Sequence, residues 1–362
     1  MIEIDVEPLR SIGLTPPVLQ HLYRHLLGSP CEPPLRLMRL TEIHRETVRL
    51  HDGRVESGAR VLARLVRALG ADGDALAVGD WVIAGSDAHG EFWLHERVPP
   101  LTALARRDAD GRRHAVVNNV DTALFVMGLD DDFNPRRLER YFALLHGSGM
   151  QAVVLLSKAD AVGADRAAHA REALHGRVPA GVEVLAVDAR SAEAAHALSP
   201  WLGAGQTLVV LGSSGAGKST LTNTLLGRAE QDTGAVREHD SRGKHTTTAR
   251  SLHRLSGGAC LIDTPGLRAL RPDADETGIA ASFADIEALA TRCRFRDCRH
   301  GEEPGCAVRA GVPADRLRNF HKLLLEARCD SLSVLQRREQ LALWKARGRA
   351  GQARLKAKRG EG

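Results

Sequence analysis

Gly212, Gly217, Lys218 and Ser219 satisfy G-x-x-x-x-G-K-[ST] within "GSSGAGKST". Glycines at that spacing let backbone N–H groups wrap a string of phosphates, and a helix opening at the lysine adds its positive dipole end. Lys218 is expected at the β- and γ-phosphates and Ser219 on Mg²⁺, with Ser213, Ser214, Gly215, Ala216 and Thr220 completing the cradle. Asp263, 45 residues after Lys218, closes the apolar run "ACLI" and opens "DTPG". An aspartate there is expected to hold the same Mg²⁺, and the Gly266 N–H to sense the γ-phosphate. Thr246 and Thr247, between the two motifs, are both candidates to complete the Mg²⁺ shell, and the spacing does not choose between them.

A second constellation precedes the first. The apolar run in "VVLLSKADAV" stops on Ser157, Lys158, Ala159 and Asp160. A lysine followed two residues later by an aspartate is suited to reading guanine. Asp160 can accept from the ring N1–H and the exocyclic amine, and Lys158 can lie along the base. GTP and GDP are therefore expected in preference to ATP. A companion loop, "VDARSA", offers Asp188-Ala189 or Ser191-Ala192 to the base. In an ordinary GTPase the phosphate loop comes first. In a parallel sheet the loops converge at the strand carboxyl ends wherever the chain is cut, so this order reads as a circular permutation.

A third group is "CRFRDCRHGEEPGC", which spaces Cys293, Cys298, His300 and Cys306 as C-x4-C-x-H-x5-C. Four such ligands suit one tetrahedral Zn²⁺ with no open position, hence a structural site. Arg294, Arg296 and Arg299 lie between the ligands and could present positive charge to RNA.

The elements that must position these residues change texture along the chain. A helical pattern, "PPVLQHLYRHLL", is followed by short β-type runs: "RLMRLTEI", "ETVRLHDG", "ARVLARLV", "GDWVIAG" and "GEFWLHERV". Closely spaced short strands suggest a small β-barrel such as the OB-fold. Its Trp81, Phe92 and Trp93 could stack on bases or fill the barrel. From about Val116, strands alternate with helices up to the phosphate loop, which argues for a parallel, doubly wound α/β sheet. "SLHRL" and "ACLID" read as a hairpin through "SGG". The remainder is mostly helical, ends in an amphipathic helix "ADRLRNFHKLLLEAR", and is expected to lack apolar bulk apart from its metal.

Composition is that of a globular protein, 43% hydrophobic and 26% charged. No apolar run is long enough for a membrane helix. The acidic start "MIEIDVEPLR" has no secretory pattern, so a cytoplasmic, membrane-free monomer is expected. The net charge of +5 is concentrated at the end, where Ala342 to Gly362 carry seven Lys/Arg and one Glu. Such a tail can meet nucleic-acid phosphates by counterion release.

Taken with "GDWV", "NNVDTALFV", "FNPRRLERYFALL", "GSSGAGKSTLTN" and "GKHTTT", these motifs resemble the ribosome small-subunit-dependent GTPase A family over roughly residues 40 to 325. The resemblance implies a multidomain chain. Its parts would be an N-terminal extension (1–40), an OB-fold barrel (41–112), a circularly permuted P-loop GTPase domain (113–280), a small α-helical zinc domain (281–340) and a basic tail (341–362). It implies binding to the small ribosomal subunit and its rRNA, with GTP hydrolysis timing release during late maturation. Leu267 stands where Ras-like enzymes carry a water-orienting Gln, so intrinsic hydrolysis should be slow. The resemblance points to His245 as the substitute, acting with Lys218 and Thr247. The chain departs from the family at Ser157, where Asn is usual. The alternatives are an RNA- or ribosome-binding protein with a weak or vestigial nucleotide site, and another P-loop NTPase.

Overall fold

Leu208, Val209, Val210 and Leu211 are all fully buried, on both faces of one strand. That is what a strand inside a parallel sheet requires, since helices cover both its sides. The computed structural model describes residues 2–26, 35–44, 47–87, 89–108, 112–227, 250–264, 271–331 and 336. Two compact units emerge: residues 1–106 with 113–272, and residues 107–112 with 273–362.

The first unit begins with β1 (Ile2–Glu3), α1 (Val6–Arg10) and α2 (Pro16–Leu26). Then come β2 (Leu35–Ile43), β3 (Val48–His51), β4 (Glu56–Val61), α3 (Ala63–Ala71), β5 (Trp81–Ser86) and β6 (Phe92–Arg97). The strands close into a barrel in the order β2-β3-β4-β6-β5, with β5 returning to β2. Only the β4–β6 pair is parallel. Five strands in this order, with a helix after the third, make an OB-fold. One expectation needs correction, and one open choice is decided. "ARVLARLV" is not one strand: β4 stops at Val61 and the rest winds into α3, because Leu62, Leu65, Val66 and Leu69 recur at helical spacing. Trp81 is core, 1% exposed beneath the Arg39 guanidinium, and is not available for stacking on bases.

After β7 (Ala103–Arg107) and β8 (Arg113–Asn118) the expected alternation follows. Its elements are β9 (Thr122–Gly128), α4 (Pro135–Leu145), β10 (Gln151–Ser157), α5 (Ala164–Leu174), β11 (Glu183–Ala186), α6 (Ala192–Ala197), β12 (Thr207–Gly212) and α7 (Lys218–Leu226). β13 (Ser251–Arg254) and β14 (Cys260–Asp263) form the expected hairpin, and β15 (Arg271–Pro272) ends the unit. The sheet runs β11-β10-β9-β12-β14-β13, all parallel except β13. β13 in turn pairs with β2 of the barrel at Ser251 and Glu42, so barrel and α/β sheet share one hydrogen-bonded surface.

A buried polar joint reinforces that seam. Arg39 on β2 is fully buried. It donates to the carbonyls of Ile12 and, at 2.7 Å, Asn119, and to Thr207 Oγ1 at 2.9 Å. Asp80, also buried, accepts from Ala77 N–H (2.8 Å) and Asn118 Nδ2 (2.7 Å). Asn119 Nδ2 donates to the Gly79 carbonyl at 3.1 Å. The phrases "GDWV" and "NNVD" therefore bind each other, fixing the start of β9, while Arg39 fixes the start of β12. Burying charge and amide groups is costly unless they are hydrogen-bonded, and these contacts serve every polar group named here except the Arg39 Nε, which has no partner among the described groups.

The second unit holds α8 (Glu276–Ser282), α9 (Ala284–Ala290), α10 (Ala307–Gly311) and α11 (Ala314–Ser331). Contrary to expectation it has apolar substance of its own. Ile279, Phe283, Ile286, Val308, Val312, Leu317, Phe320 and Leu323 are buried. Arg316 lies over the Phe283 ring at 4.6 Å and grips Asp285 with two hydrogen bonds, of 2.9 and 2.6 Å.

Candidate active site and metal centre

Four neighbouring strands, β10, β9, β12 and β14, end side by side, and the described candidates for nucleotide binding, the companion loop aside, lie at or after the carboxyl ends of β10, β12 and β14. The register aligns Gly128 with Ser157, Gly212 with Val126 and Val210 with Asp263. β9 sits between the two loops, so base-reading and phosphate loops are two strands apart in space, whatever their order in sequence.

The phosphate loop leaves β12 at Gly212 and enters α7 at Lys218. A Cβ at Gly212 would lie 2.4 Å from the Val126 carbonyl oxygen, and Gly217 has φ +92°, so both positions demand glycine. Lys218 is buried, with Nζ donating to the Ser213 carbonyl at 2.7 Å across the loop. Burial lowers its pKa, with the carboxylates of Asp263 and Asp132 working the other way. An ammonium held in so dry a cradle favours an anion at its tip. Ser213 Oγ donates to the Asp132 carboxylate (2.6 and 2.7 Å) and accepts from Arg137 Nη1 at 2.6 Å. Asp132, in the turn before α4, and Arg137, in its first turn, thus brace the loop from outside. The acidic run "LDDDFNPRR" after the wholly buried strand β9 was the available signal for them, and sequence reasoning did not use it.

Ser157 is fully buried beneath the same loop. Its hydroxyl donates to the Ala216 carbonyl at 2.6 Å. The buttressing contact is therefore made by this shorter side chain, and Gly217 closes down on it: a Cβ there would meet Ser157 Oγ at 3.3 Å. Lys158 adopts the left-handed region (φ 61°) and turns the chain into a short 3-10 turn that carries Asp160. Lys158 Nζ pairs with Asp130 at 2.6 Å, and Asp160 pairs with Arg190 at 2.5 Å. Asp130 and Arg190 also escaped the sequence reading. In the companion loop, Ala189 is buried and its carbonyl accepts from Thr224 Oγ1 on α7 at 2.8 Å. Ser191 caps α6 by accepting from Glu193 N–H.

Asp263 ends β14 beside the loop, 2% exposed. Burial raises its pKa while the Lys218 ammonium lowers it. Its Oδ1 is buried with no hydrogen-bond partner among the described groups. An orphaned carboxylate oxygen facing a phosphate cradle fits a divalent cation, and Ser219, in the first turn of α7, supplies a hydroxyl for the same ion. His245, Thr246, Thr247, Gly266 and Leu267 lie outside the described residues, as does the tail from Ala342.

In the second unit the ligand atoms of Cys293, Cys298, His300 and Cys306 all lie within 4.8 Å of one another. A tetrahedron with ordinary Zn–S and Zn–N bonds has edges of about 3.8 Å between sulfurs and about 3.6 Å from sulfur to nitrogen. Cys293 Sγ and Cys306 Sγ are 3.9 Å apart, and His300 Nδ1 is 3.6 and 3.5 Å from them. His300 reaches this place in the left-handed region, φ 59°. Without metal the thiols diverge: the N–H groups of Val308 and Ala307 hold Cys293 below its usual pKa, while burial pushes Cys298 up to about 11.

Comparison with known proteins gives a consistent set of likenesses. A family model described as RsgA GTPase matches residues 98–272. A protein of Xanthomonas campestris pv. campestris (strain B100), named small ribosomal subunit biogenesis GTPase RsgA, is 48% identical over 257 residues, 69% of each chain. A protein of the same name from Xanthomonas oryzae pv. oryzae (strain MAFF 311018) matches at the same identity and coverage. Among solved structures, YjeQ from Thermotoga maritima is similar at TM-score 0.56 and 19% identity, over 81% of this chain and 98% of that one. YloQ, described as a circularly permuted GTPase, is similar at TM-score 0.56 and 18% identity, over 84% and 100%. These two share the fold.

Proposed function

The chain belongs to the RsgA GTPase family, and on that footing we propose that it is a GTP hydrolase acting in biogenesis of the small ribosomal subunit. It binds that subunit and its rRNA and uses hydrolysis to time its own release late in maturation. The observation that carries the reading is the convergence at one set of strand ends: phosphate loop, buried Asp263 and the Lys158–Asp160 turn.

In this reading Gly212 to Thr220 wrap the phosphates, Lys218 neutralises the β- and γ-oxygens, and Asp160 selects guanine with Lys158 along the base. Ser219 and Asp263 hold the Mg²⁺ that accompanies GTP, which supplies charge neutralisation at the phosphates when bound. Gly266 and Thr246 or Thr247 sense the γ-phosphate, and His245 orients the attacking water. The proposed division of labour follows the segments 1–40, 41–112, 113–280, 281–340 and 341–362. The barrel and the zinc knuckle meet RNA, and the chain works as a cytoplasmic monomer.

Turnover of GTP with and without purified small subunits tests this function. Intrinsic turnover should be slow, and subunits should raise it by orders of magnitude, because positioning supplies most of catalysis in phosphoryl transfer. His245→Ala should abolish the stimulation while GTP affinity and subunit binding persist. Equal turnover with and without subunits would refute the proposal, and full stimulation of the variant would remove His245 from it.

Zinc is the ion we assign to the cysteine cluster. One zinc should co-purify per chain, and chelation should loosen the helices of the second unit while leaving GDP affinity within about twofold, since the nucleotide loops belong to a different core. Folded protein with no bound zinc by elemental analysis would be incompatible with this assignment.

A further inference from the structure

The carboxylate assigned to guanine already has a partner. Asp160 Oδ2 accepts from Arg190 Nη2 at 2.5 Å. Arg190 reaches it from the companion loop after β11, where Asp188 Oδ1 accepts from both its backbone N–H (2.9 Å) and its Nε (3.2 Å). The guanidinium is thus held at one end by Asp188 and laid against Asp160 at the other. Its side chain is 68% exposed and that of Asp160 33% exposed, so no packing locks the pair in place.

The chemistry of this contact is specific. The edge by which guanine is read, N1–H, C2 and the exocyclic amine, is itself a guanidine-type N–C–N group carrying donors. A carboxylate binds both by the same fork of N–H donors. Arg190 presents to Asp160 one N–H of that kind, Nη2, while its Nε is taken by Asp188, and a guanine N–H cannot take Oδ2 while Nη2 holds it. Lys158 is likewise engaged, with Asp130, so both charged side chains of the turn are paired before any base arrives.

We propose that Arg190 is an internal stand-in for the guanine edge: it occupies Asp160 in the nucleotide-free protein, and guanine must displace it to be read. This rests on the assignment of Asp160 to the base. Displacement is inexpensive, because Arg190 keeps Asp188 when it leaves. The cost falls on association. Once the base is seated, Arg190 no longer contacts the reading oxygen and does not alter dissociation.

Stopped-flow and equilibrium binding of fluorescent GDP to the full chain, Arg190→Ala, Asp160→Asn and the double variant test this. Arg190→Ala should bind GDP about two- to fivefold tighter, the scale of an exposed ion pair, with the gain in the association rate. Inosine diphosphate should gain by the same factor, since the competitor is removed for every base. The advantage should shrink in high salt, which already weakens the pair. In the Asp160→Asn background, removing Arg190 should have no effect, because the competition is gone. Unchanged affinity in Arg190→Ala would overturn the inference. Weaker affinity would also overturn it and would make Arg190 a contact of the bound nucleotide. If Asp160→Asn itself leaves GDP binding unaltered, the base-reading assignment fails, a result that the Arg190 variant alone cannot produce.

Discussion

Lys218→Ala should cost roughly 10²- to 10³-fold in GTP turnover at saturating nucleotide, with or without small subunits. The charge that builds on the transferred phosphoryl oxygens is met by groups fixed beforehand, and Lys218 is the buried cation among them. Its ammonium donates to the Ser213 carbonyl, which belongs to the loop itself. Burying an ammonium disfavours its charged form, so in the absence of nucleotide the lysine costs stability rather than supplying it. Thermal unfolding of Lys218→Ala should therefore begin no earlier than that of the parent. Lost turnover together with undiminished stability identifies a functional cation. Turnover within a factor of about three of the parent would remove Lys218 from the reaction.

Asp160→Asn should weaken GDP by roughly two powers of ten or more. Two charge-assisted hydrogen bonds, each worth about 1.5–3 kcal/mol, lose their charged acceptor, and the new amide turns a donor toward the guanine amine. Xanthine carries a carbonyl where guanine carries that amine, so xanthosine diphosphate should gain in the same variant. The crossed pattern separates base reading from general damage to the loop. Loss of both nucleotides together would mean that Asp160 supports the turn instead of reading the base.

What the sequence disclosed and what it hid divide along sequence distance. The phosphate loop, the alternation from β9 to α7 and the cysteine spacing are local patterns, readable because glycine geometry, helical and strand periods and metal ligation act over a few residues. Residues whose meaning comes from a distant partner were missed. Arg39 meets Thr207 across 168 positions, and Ser213 meets Asp132 across 81. Nothing in a single chain read along its length announces such pairs. The misreading of "ARVLARLV" has another cause. Its apolar residues satisfy the strand and the helix pattern at once, and α3, with no fully buried residue, leaves little burial signal to arbitrate. Ser157 stands in the sequence only as a departure from the family's usual Asn. The structure adds that its hydroxyl serves the phosphate loop, a contact with Ala216 that is 59 positions away.

The pairing of β13 with β2 also bears on how this molecule can be handled. Without the barrel, β13 would be the last strand of the α/β sheet, with one row of N–H and C=O groups open to any extended chain. Beside it, the Asn119 carbonyl and the Thr207 hydroxyl would lose the arginine that satisfies them. A GTPase domain excised from residue 113 onward would carry a sticky border and invite self-association. The barrel is thus a selvedge as well as a module: it finishes the cloth of the sheet, and the two have to be expressed, folded and inherited together.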